Sequence, residues 1–308
     1  MGRRRQALES RSQFDPRFWP LWALFGVLWL SSQLPYRWQL NIGRFLGRAA
    51  YYLAKSRRHV ARRNLELCLP ELSASEREQL LKRNLESLGM GLIETTMSWW
   101  APDQRVAGRL EIEGLEHLRA AQADGRGVIL LSAHFSSIDI CGRLLGPQVD
   151  MDVLFRRHEN PVIERFMRGH RERMFENAIP RDDIRTMIRH IKQGRAVWYA
   201  PDQNHRGKNS AMVPFFGVPA STNTATPRLA KMTHARVLPF LFRRDDKIGR
   251  YYVRFYPPVE DFPTDDPLAD TTRVNQIIEE LIRQCPEQYF WVHQRFKKRP
   301  PEYPDAYA

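Results

Sequence analysis

A histidine and an aspartate five residues apart are the first residues of this sequence that could carry out chemistry. His134 and Asp139 follow the apolar run 128–131, which predicts a buried strand. They therefore emerge at a strand's carboxyl end, where open α/β sheets place their ligand sites. A histidine accepts a proton near neutral pH, and a carboxylate beside it can fix its tautomer and stabilise the imidazolium.

The chain contains no G-x-S-x-G sequence, so no nucleophilic serine accompanies this pair. The pair is suited to activating a hydroxyl of a substrate rather than one of the enzyme. The two side chains can meet if His134 lies in a loop and Asp139 in the first turn of the next helix, where the helix dipole favours a carboxylate. Spacing alone also fits an unrelated loop histidine and a helix-start aspartate.

Further charged residues follow the next two predicted strands. Arg156 ends the second strand and could hold a phosphate or an acyl carbonyl, although a solvated or ion-paired arginine fits equally well. After the third strand, Asp202, Arg206 and Lys208 form a polar loop of both signs. This loop could bind a lipid headgroup, and the apolar stretch 213–217 after it could lead a chain into a groove. An ordinary surface loop is the alternative.

The arginines of the segment 165–173 are typical of a solvated helix face, or else of a docking surface for anionic lipid or an acidic carrier protein. His293 is expected to be structural. No metal-ligand spacing occurs in the chain, so we expect no metal. The three cysteines are far apart and form no C-x-x-C, which favours a reducing compartment.

The elements that must position these residues alternate between strands and helices. Predicted strands cover 128–132, 149–155, 196–200, 237–242 and 251–255, and predicted helices cover 137–145, 161–175 and 273–284. Ser73 and Glu76 form a possible capping box before a helix that runs to about residue 100. This order predicts an α/β fold with a mostly parallel central sheet flanked by helices.

The amino-terminal segment 18–36 carries no charged side chain. Its nineteen residues reach roughly the lower limit for a membrane span, and its tryptophans suit a membrane interface. We expect an uncleaved membrane-anchoring helix that either spans the bilayer or inserts shallowly; a cleaved signal peptide and a buried helical hairpin arm are the alternatives. The expected division is a basic tail over 1–16, the anchor over 17–36, a helical region over 37–105 and the α/β core over 106–308.

Composition favours an anionic partner. The chain of 308 residues has a net charge of +13, and arginine supplies 40 of its 48 basic residues. Because the arginine fork binds phosphate and carboxylate groups, anionic substrates or an anionic membrane surface are expected, although an arginine-rich codon bias explains the same composition. No nucleic-acid-binding pattern occurs, so we expect no nucleic-acid partner.

Several blocks in order resemble the late acyltransferases of lipid A synthesis in Gram-negative bacteria, within the H-x4-D acyltransferase superfamily. The matching blocks are His134-Phe135-x3-Asp139, Phe155-Arg156 with Asn160-Pro161, residues 197–202, residues 213–217 and the carboxyl-terminal block 286–300. The last block is the most distinctive. Departures from the family pattern occur at 204–206, where relatives often have Asp and then Tyr-Gly, and at Lys298, where Thr is frequent.

The resemblance implies a glycerolphosphate-acyltransferase-like fold and transfer of a fatty acyl chain from an acyl carrier protein thioester. The acceptor would be the 3-hydroxyl of a hydroxyacyl chain on a lipid A precursor. His134 would be the general base and Asp139 its orienting partner, while Arg156, Asn160, Asp202, Arg206 and Lys208 would bind substrate. No cofactor is implied beyond the acyl carrier co-substrate. The resemblance places a monomer at the bacterial inner membrane, with the catalytic domain on the cytoplasmic face.

Two alternatives stay open. The nearer one is an acyltransferase for lysophospholipid or glycerol phosphate, although the F-P-E-G-x-R-like block of such enzymes is absent at 200–204. The more distant one is a non-catalytic, membrane-anchored basic scaffold. Whether the donor is a carrier protein or a coenzyme A thioester comes from the resemblance alone.

Overall fold

The computed structural model describes residues 15–297, 299–300 and 302–308. A seven-stranded sheet forms its centre, in the order β1-β9-β8-β2-β5-β3-β4. The strands are β1 (Leu110–Glu113), β2 (Val128–Leu131), β3 (Met151–Phe155), β4 (Ala178–Pro180), β5 (Ala196–Tyr199), β8 (Arg236–Asp245) and β9 (Arg250–Phe255). All four residues of β2 are buried, as a central parallel strand covered on both faces requires.

The sheet is mostly parallel, as the sequence predicted. The pairing is parallel from β8 through β2, β5 and β3 to β4. Strand β9 is antiparallel to β8, and β1 pairs in parallel with β9. A separate antiparallel hairpin, β6 (Ser210–Phe215) with β7 (Val218–Asn223), follows the loop after β5. Neither this hairpin nor the short strand β4 was predicted from the sequence, although residues 213–217 were noted there as an apolar stretch.

Eleven α-helices surround the sheet in the part of the chain that the structure describes. The first five are α1 (Trp19–Ser32), α2 (Tyr36–Leu53), α3 (Lys55–Cys68), α4 (Ala74–Trp100) and α5 (Asp103–Val106). The others are α6 (Leu115–Ala123), α7 (Ile138–Leu145), α8 (Pro161–Met174), α9 (Ile184–Lys192), α10 (Ala225–Thr233) and α11 (Pro267–Gln284). Short 3₁₀ turns lie at Pro16–Phe18 and Pro286–Gln288.

Local sequence signals explain several helix starts. The Ser73–Glu76 capping box at the start of α4 is confirmed. The last long helix begins at Pro267, six residues earlier than predicted, because the Asp266 side chain accepts hydrogen bonds from two backbone N–H groups of the first turn. A proline in the first turn after such a cap is a strong start signal.

Helices α2 and α4 cross closely because glycines face each other. A Cβ atom on Gly47 would lie 2.2 Å from the Leu85 carbonyl oxygen, and one on Gly43 would lie 2.5 Å from the Met90 Cα. Neither position has room for a side chain. The close packing fixes α4, which carries side chains to the site described below.

The amino-terminal segment differs from its prediction. Helix α1 covers residues 19–32 of this segment, and a turn at 33–35 precedes Tyr36, the first residue of α2. The helix is therefore shorter than the expected 17–36. Phe25 of α1 stacks on Phe166 of α8 with ring centroids 4.6 Å apart. None of the described helices combines the length and apolarity that crossing a membrane requires. The basic tail lies outside the described residues except for its last two positions.

Candidate active site

The parallel pairing of β2 with β5 brings His134 and Asp202 together. Leu131 pairs with Tyr199 at the ends of these strands, so the loops that follow leave from the same edge of the sheet. His134 Nδ1 lies 2.6 Å from Asp202 Oδ1, and the His134 backbone N–H donates to Asp202 Oδ2 at 3.2 Å. The aspartate is buried, whereas a third of the histidine side chain is exposed.

This contact corrects the predicted partner of the imidazole. The orienting role was expected for Asp139, but the imidazole contacts Asp202, which lies in a different loop. The Asp139 carboxylate instead accepts a hydrogen bond from the Thr95 hydroxyl of α4 at 2.6 Å. Asp139 lies in the first turn of α7, as predicted. Although His134 and Asp139 belong to one short motif, their side chains have different hydrogen-bond partners.

The surroundings shift the pKa values of the two carboxyl groups in opposite directions. Burial alone would raise the pKa of Asp202, but His134 and its hydrogen bonds hold that pKa below its ordinary value. Burial also raises the pKa of Asp139, and here it prevails over the Thr95 hydroxyl and the Arg171 guanidinium. For His134, burial disfavours the imidazolium, yet Asp202 outweighs burial and raises the pKa above the usual value.

The imidazole therefore has the arrangement of a general base. With Nδ1 facing a carboxylate that is kept ionised, Nε2 is the nitrogen left to take a proton from a substrate. Trp198 flanks the ring with its centroid 6.2 Å away. A hydroxyl brought to Nε2 could be deprotonated while it attacks an electrophilic carbon.

Residues 286–296, which we name the carboxyl-terminal strap, cover both loops of the site. On the first loop, the Phe290 N–H donates to the His134 carbonyl at 3.0 Å, and the Ser136 N–H donates to the Gln288 carbonyl at 2.7 Å. On the second loop, the Asn204 N–H donates to His293 Nε2 at 3.1 Å. A structural role was expected for His293. In the structure its ring accepts this hydrogen bond and so fixes the loop after Asp202.

Arg156 and Asn160 lie beyond the end of β3. The Arg156 side chain is mostly exposed and faces Glu159 at 3.6 Å, so it is free to rearrange toward an anion. Asn160 caps α8, and its Oδ1 accepts hydrogen bonds from the Val162 and Ile163 N–H groups. This observed capping role differs from the substrate-binding role that the resemblance implied.

Arg206 and Lys208 are exposed in the loop between β5 and β6. No hydrogen bond or ion pair described for the structure joins either of them to His134. They place positive charge on the same loop as Asp202, four and six residues farther along the chain.

Arg171 belongs to the segment 165–173, for which a solvated helix face or a docking surface was expected. Its side chain is largely buried and 4.0 Å from Glu164, and its guanidinium lies over the Phe155 ring at 4.1 Å. Nη1 is buried without a hydrogen-bond partner among the described residues. Nothing in the sequence distinguished this arginine from its exposed neighbours on α8.

Tyr289 and Arg295, both buried in the strap, were also missed as individual residues. The distinctive carboxyl-terminal block was the signal that could have found them. Within the described ranges, no group of three or more His, Cys, Asp or Glu side chains is arranged to hold a metal ion.

Comparison with known proteins gives a consistent family. Residues 9–298 match the family model described as bacterial lipid A biosynthesis acyltransferase. The lipid A biosynthesis lauroyltransferase of Escherichia coli is 40% identical over 97% of this chain and 98% of its own. The palmitoleoyltransferase of the same organism is 40% identical over 94% and 95%, and its myristoyltransferase is 30% identical over 95% and 91%.

A solved structure is also similar. The 1-acyl-sn-glycerophosphate acyltransferase from Thermotoga maritima matches 79% of this chain and 97% of its own, with a TM-score of 0.39 and 12% identity.

Proposed function

This chain belongs to the bacterial lipid A biosynthesis acyltransferase family, and we propose that it moves a fatty acyl chain from an acyl carrier protein thioester to a 3-hydroxyl of a lipid A precursor. It is an acyltransferase that acts late in lipid A synthesis. The carrier-bound donor and the chemical roles of individual residues are the proposal.

The observation that carries the proposal is the 2.6 Å contact between His134 Nδ1 and Asp202 Oδ1. A lipid hydroxyl is a weak nucleophile until a base removes its proton during attack, and such assistance is typically worth about 10²–10⁴-fold in rate. His134 Nε2 takes that proton as the oxygen attacks the thioester carbon. The tetrahedral centre then collapses, the carrier thiolate leaves, and a proton from His134 can return to the sulfur.

Asp202 takes over the orienting role that the motif assigned to Asp139. Its raising effect on the His134 pKa strengthens the base, and its own burial keeps water from competing for the contact. In this proposal Asp139 is not the partner of the base. Its carboxylate accepts a hydrogen bond from the Thr95 hydroxyl and is influenced by the Arg171 charge.

Acceptor binding is proposed for the exposed cations around the two loops. Arg156, Arg206 and Lys208 would contact the phosphate groups of the acceptor, since guanidinium and ammonium groups bind phosphate in charge-assisted hydrogen bonds. Asn160 supports this indirectly, because its cap fixes the start of α8 next to the Arg156 loop.

Activity assays on the purified chain test this function. Wild type is expected to release free carrier thiol and acylated product when an acyl carrier protein thioester and a lipid A precursor are mixed. His134→Ala is expected to lower kcat by at least about 10²-fold while circular dichroism stays unchanged. His117→Ala, on α6, is the matched control and should keep wild-type activity.

Three outcomes would contradict the proposal. Substantial transfer by His134→Ala would remove the general base. Transfer to lysophosphatidate or glycerol phosphate, with none to the lipid A precursor, would favour the alternative acceptor class. A wild-type protein that binds anionic lipid but releases no thiol would favour the scaffold.

Attachment to the cytoplasmic face of the inner membrane is also proposed, with α1 and α2 as the contacting elements. Large apolar side chains are exposed on both helices, and they are Trp19, Leu24, Val27, Trp29, Leu30, Trp38, Phe45, Leu46, Tyr52 and Leu53. So many exposed large apolar side chains on two consecutive helices are unusual for a surface that faces only water. Arginines of α2 lie near it and would attract anionic headgroups.

Vesicle co-sedimentation tests this attachment. The double variant Trp19→Glu with Trp29→Glu is expected to lose most of its binding to vesicles of phosphatidylglycerol and phosphatidylethanolamine, because each charge must enter the apolar interface. Met232→Glu, at a similarly exposed position on α10, is the control and should bind as wild type does. Equal binding by all three proteins would exclude α1 as the anchor.

A further inference from the structure

Resting on the proposed function, we propose that an arginine surface on α9 and α10 is the docking site of the acidic carrier protein that brings the acyl chain. We name it the α9–α10 surface, and it consists of the exposed side chains Arg181, Arg185, Arg189 and Arg228. Its position at the catalytic edge of the sheet, the face on which it lies and its charge each support this role.

The α9–α10 surface begins at the same sheet edge as His134. Strands β3 and β4 end side by side, and Pro180 is the last residue of β4. Arg181 follows it directly, and Arg185 lies in the first turn of α9. Because parallel strands share one carboxyl edge, both arginines lie at the edge from which the catalytic loops leave.

The start of α10 lies at this edge as well. Just before α10, Asn223 Nδ2 donates to the hydroxyl of Tyr199, the last residue of β5, at 3.2 Å. Arg228 of α10 donates to the Asn209 side chain, in the same loop as Asp202. Helices α9 and α10 pack against each other, so their cations belong to one surface.

The α9–α10 surface lies on the opposite face of the sheet from α1. Helix α1 packs on α8 through the Phe25 and Phe166 rings. Helix α8 connects β3 outward to β4, whereas α9 connects β4 back to β5. Since such crossovers are right-handed, the two helices cover opposite faces. With α1 at the membrane, as proposed above, the α9–α10 surface faces away from the bilayer, toward soluble partners.

The positive charge of this surface is largely unbalanced. Within the described ranges, none of its four arginines forms an ion pair with a carboxylate. Two acidic residues, Asp182 and Asp183, lie in the loop before α9, and Asp183 caps the helix by accepting from the Thr186 N–H at 3.1 Å. The segments 184–201 and 203–244 contain no Asp or Glu. An acidic protein would meet few like charges here.

The apolar content of the surface favours a protein over a lipid bilayer. Among large apolar side chains, α9 exposes only Ile184, at 52%, and α10 exposes only Met232. Helices α1 and α2 together expose ten. Exposed cations with little apolar area attract an acidic protein over a distance and fix its orientation, whereas insertion into a membrane needs more apolar surface.

Steady-state kinetics of the double variant Arg185→Glu with Arg189→Glu test the surface. We expect KM for the acyl carrier protein thioester to rise about 10-fold, because two attractive exposed pairs become repulsive. Both kcat and KM for the lipid A precursor should stay near the wild-type values. Added salt should raise the donor KM of wild type more than that of the variant, since screening removes the attraction that the variant lacks.

The double variant Arg119→Glu with Arg126→Glu is the matched control. It makes the same change of net charge at two exposed positions, and Arg126 lies two residues before β2, at the amino edge of the sheet. Its kinetic constants should equal those of wild type. Circular dichroism and vesicle co-sedimentation should be unchanged in both double variants.

Binding of labelled acyl carrier protein, measured by fluorescence anisotropy without acceptor, separates docking from catalysis. Wild-type binding that the α9 variant weakens and the control variant keeps would support the surface. An equal donor KM in both double variants would overturn it, and loss of vesicle binding in the α9 variant alone would reassign the surface to the membrane. A wild type that binds the carrier protein but transfers no acyl chain would overturn the proposed function and leave the docking result standing.

Discussion

The loop after β5 contains the buried Asp202, and the first turn of α7 contains the partly buried Asp139. Both aspartates lie close to the His134 loop, and their pKa values are shifted in opposite directions. In the first region Asp202 meets the imidazole, and its pKa lies below the ordinary value. In the second, Asp139 has a threonine hydroxyl and a nearby arginine, and burial raises its pKa. Sequence proximity to His134 therefore did not decide which carboxylate became its partner; the pairing of β2 with β5 did.

This difference assigns the two carboxylates distinct tasks. A buried charge is costly unless it is paired, and Asp202 has its pair in the residue that must accept a proton. Asp139 has a weaker set of partners and lies on the face of α7 toward α4 and α8. There its charge acts on the Arg171 guanidinium, whose Nη1 is buried without a hydrogen-bond partner among the described residues.

The largest expected effect is on catalysis, when each carboxylate is replaced by its amide. Asp202→Asn should lower kcat by about 10²–10⁴-fold, since the base loses both its orientation and its counter-charge. The acidic limb of kcat/KM should move to lower pH, because burial, which lowers the pKa of His134, then acts without the carboxylate that opposes it.

Asp139→Asn is the matched comparison for that limb. It should also lower kcat, because Arg171 loses the carboxylate that it faces, but the limb should stay at the wild-type pH. Stopped assays from pH 5 to 9 would provide both profiles. If Asp139→Asn moved the limb and Asp202→Asn did not, the assignment of the two carboxylates would have to be reversed.

The fold was largely readable from the sequence, for physical reasons. Parallel strands buried on both faces consist of short apolar runs, so β2 and β5 were predicted within a residue of their observed ends. The β6–β7 hairpin was missed because its strands contain two prolines and several small polar residues, which favour a loop reading. The start of α11 was missed because its first turn has little apolar periodicity.

The sequence predicted where each site residue lies along the chain, but not which site residues touch, because that depends on the order of the strands in the sheet. Each of His134, Asp139, Arg156 and Asp202 could be placed at a strand end or helix start from local pattern. Which of them touch depends on which strands are neighbours, and β2 lies next to β5 rather than next to β3. Arg171 and Tyr289 were recognised only from their burial in the structure. Sequence periodicity does not reveal burial on a highly charged helix or in an irregular strap.

The smallest expected effect is on stability, where the two amide variants should differ in sign. Asp202 has a depressed folded-state pKa, so its ionised form stabilises the fold above its unfolded pKa of about 3.9, and that contribution is lost as pH falls through the folded value. Asp139 has a raised folded-state pKa, so ionising it costs stability at neutral pH, and that cost is absent below the unfolded pKa. At pH 7, Asp202→Asn should therefore be less stable than wild type, and Asp139→Asn more stable.

Thermal melts of wild type and both variants at pH 7 and pH 4 would measure this difference in sign. A change of about 1 kcal/mol should move Tm by ~2–4 °C. At pH 4 the stability difference of Asp139→Asn should narrow, because the cost of ionising Asp139 disappears near the unfolded pKa. The difference of Asp202→Asn should remain at pH 4, because the folded-state pKa of Asp202 lies below its unfolded value. Gain of stability with loss of activity in Asp139→Asn would mark that carboxylate as a group kept for function at a cost to the fold. Loss of stability in both variants would instead mean that Arg171 depends on Asp139 as a counter-charge more than burial penalises it, and the contrast between the two regions would then hold for the histidine alone.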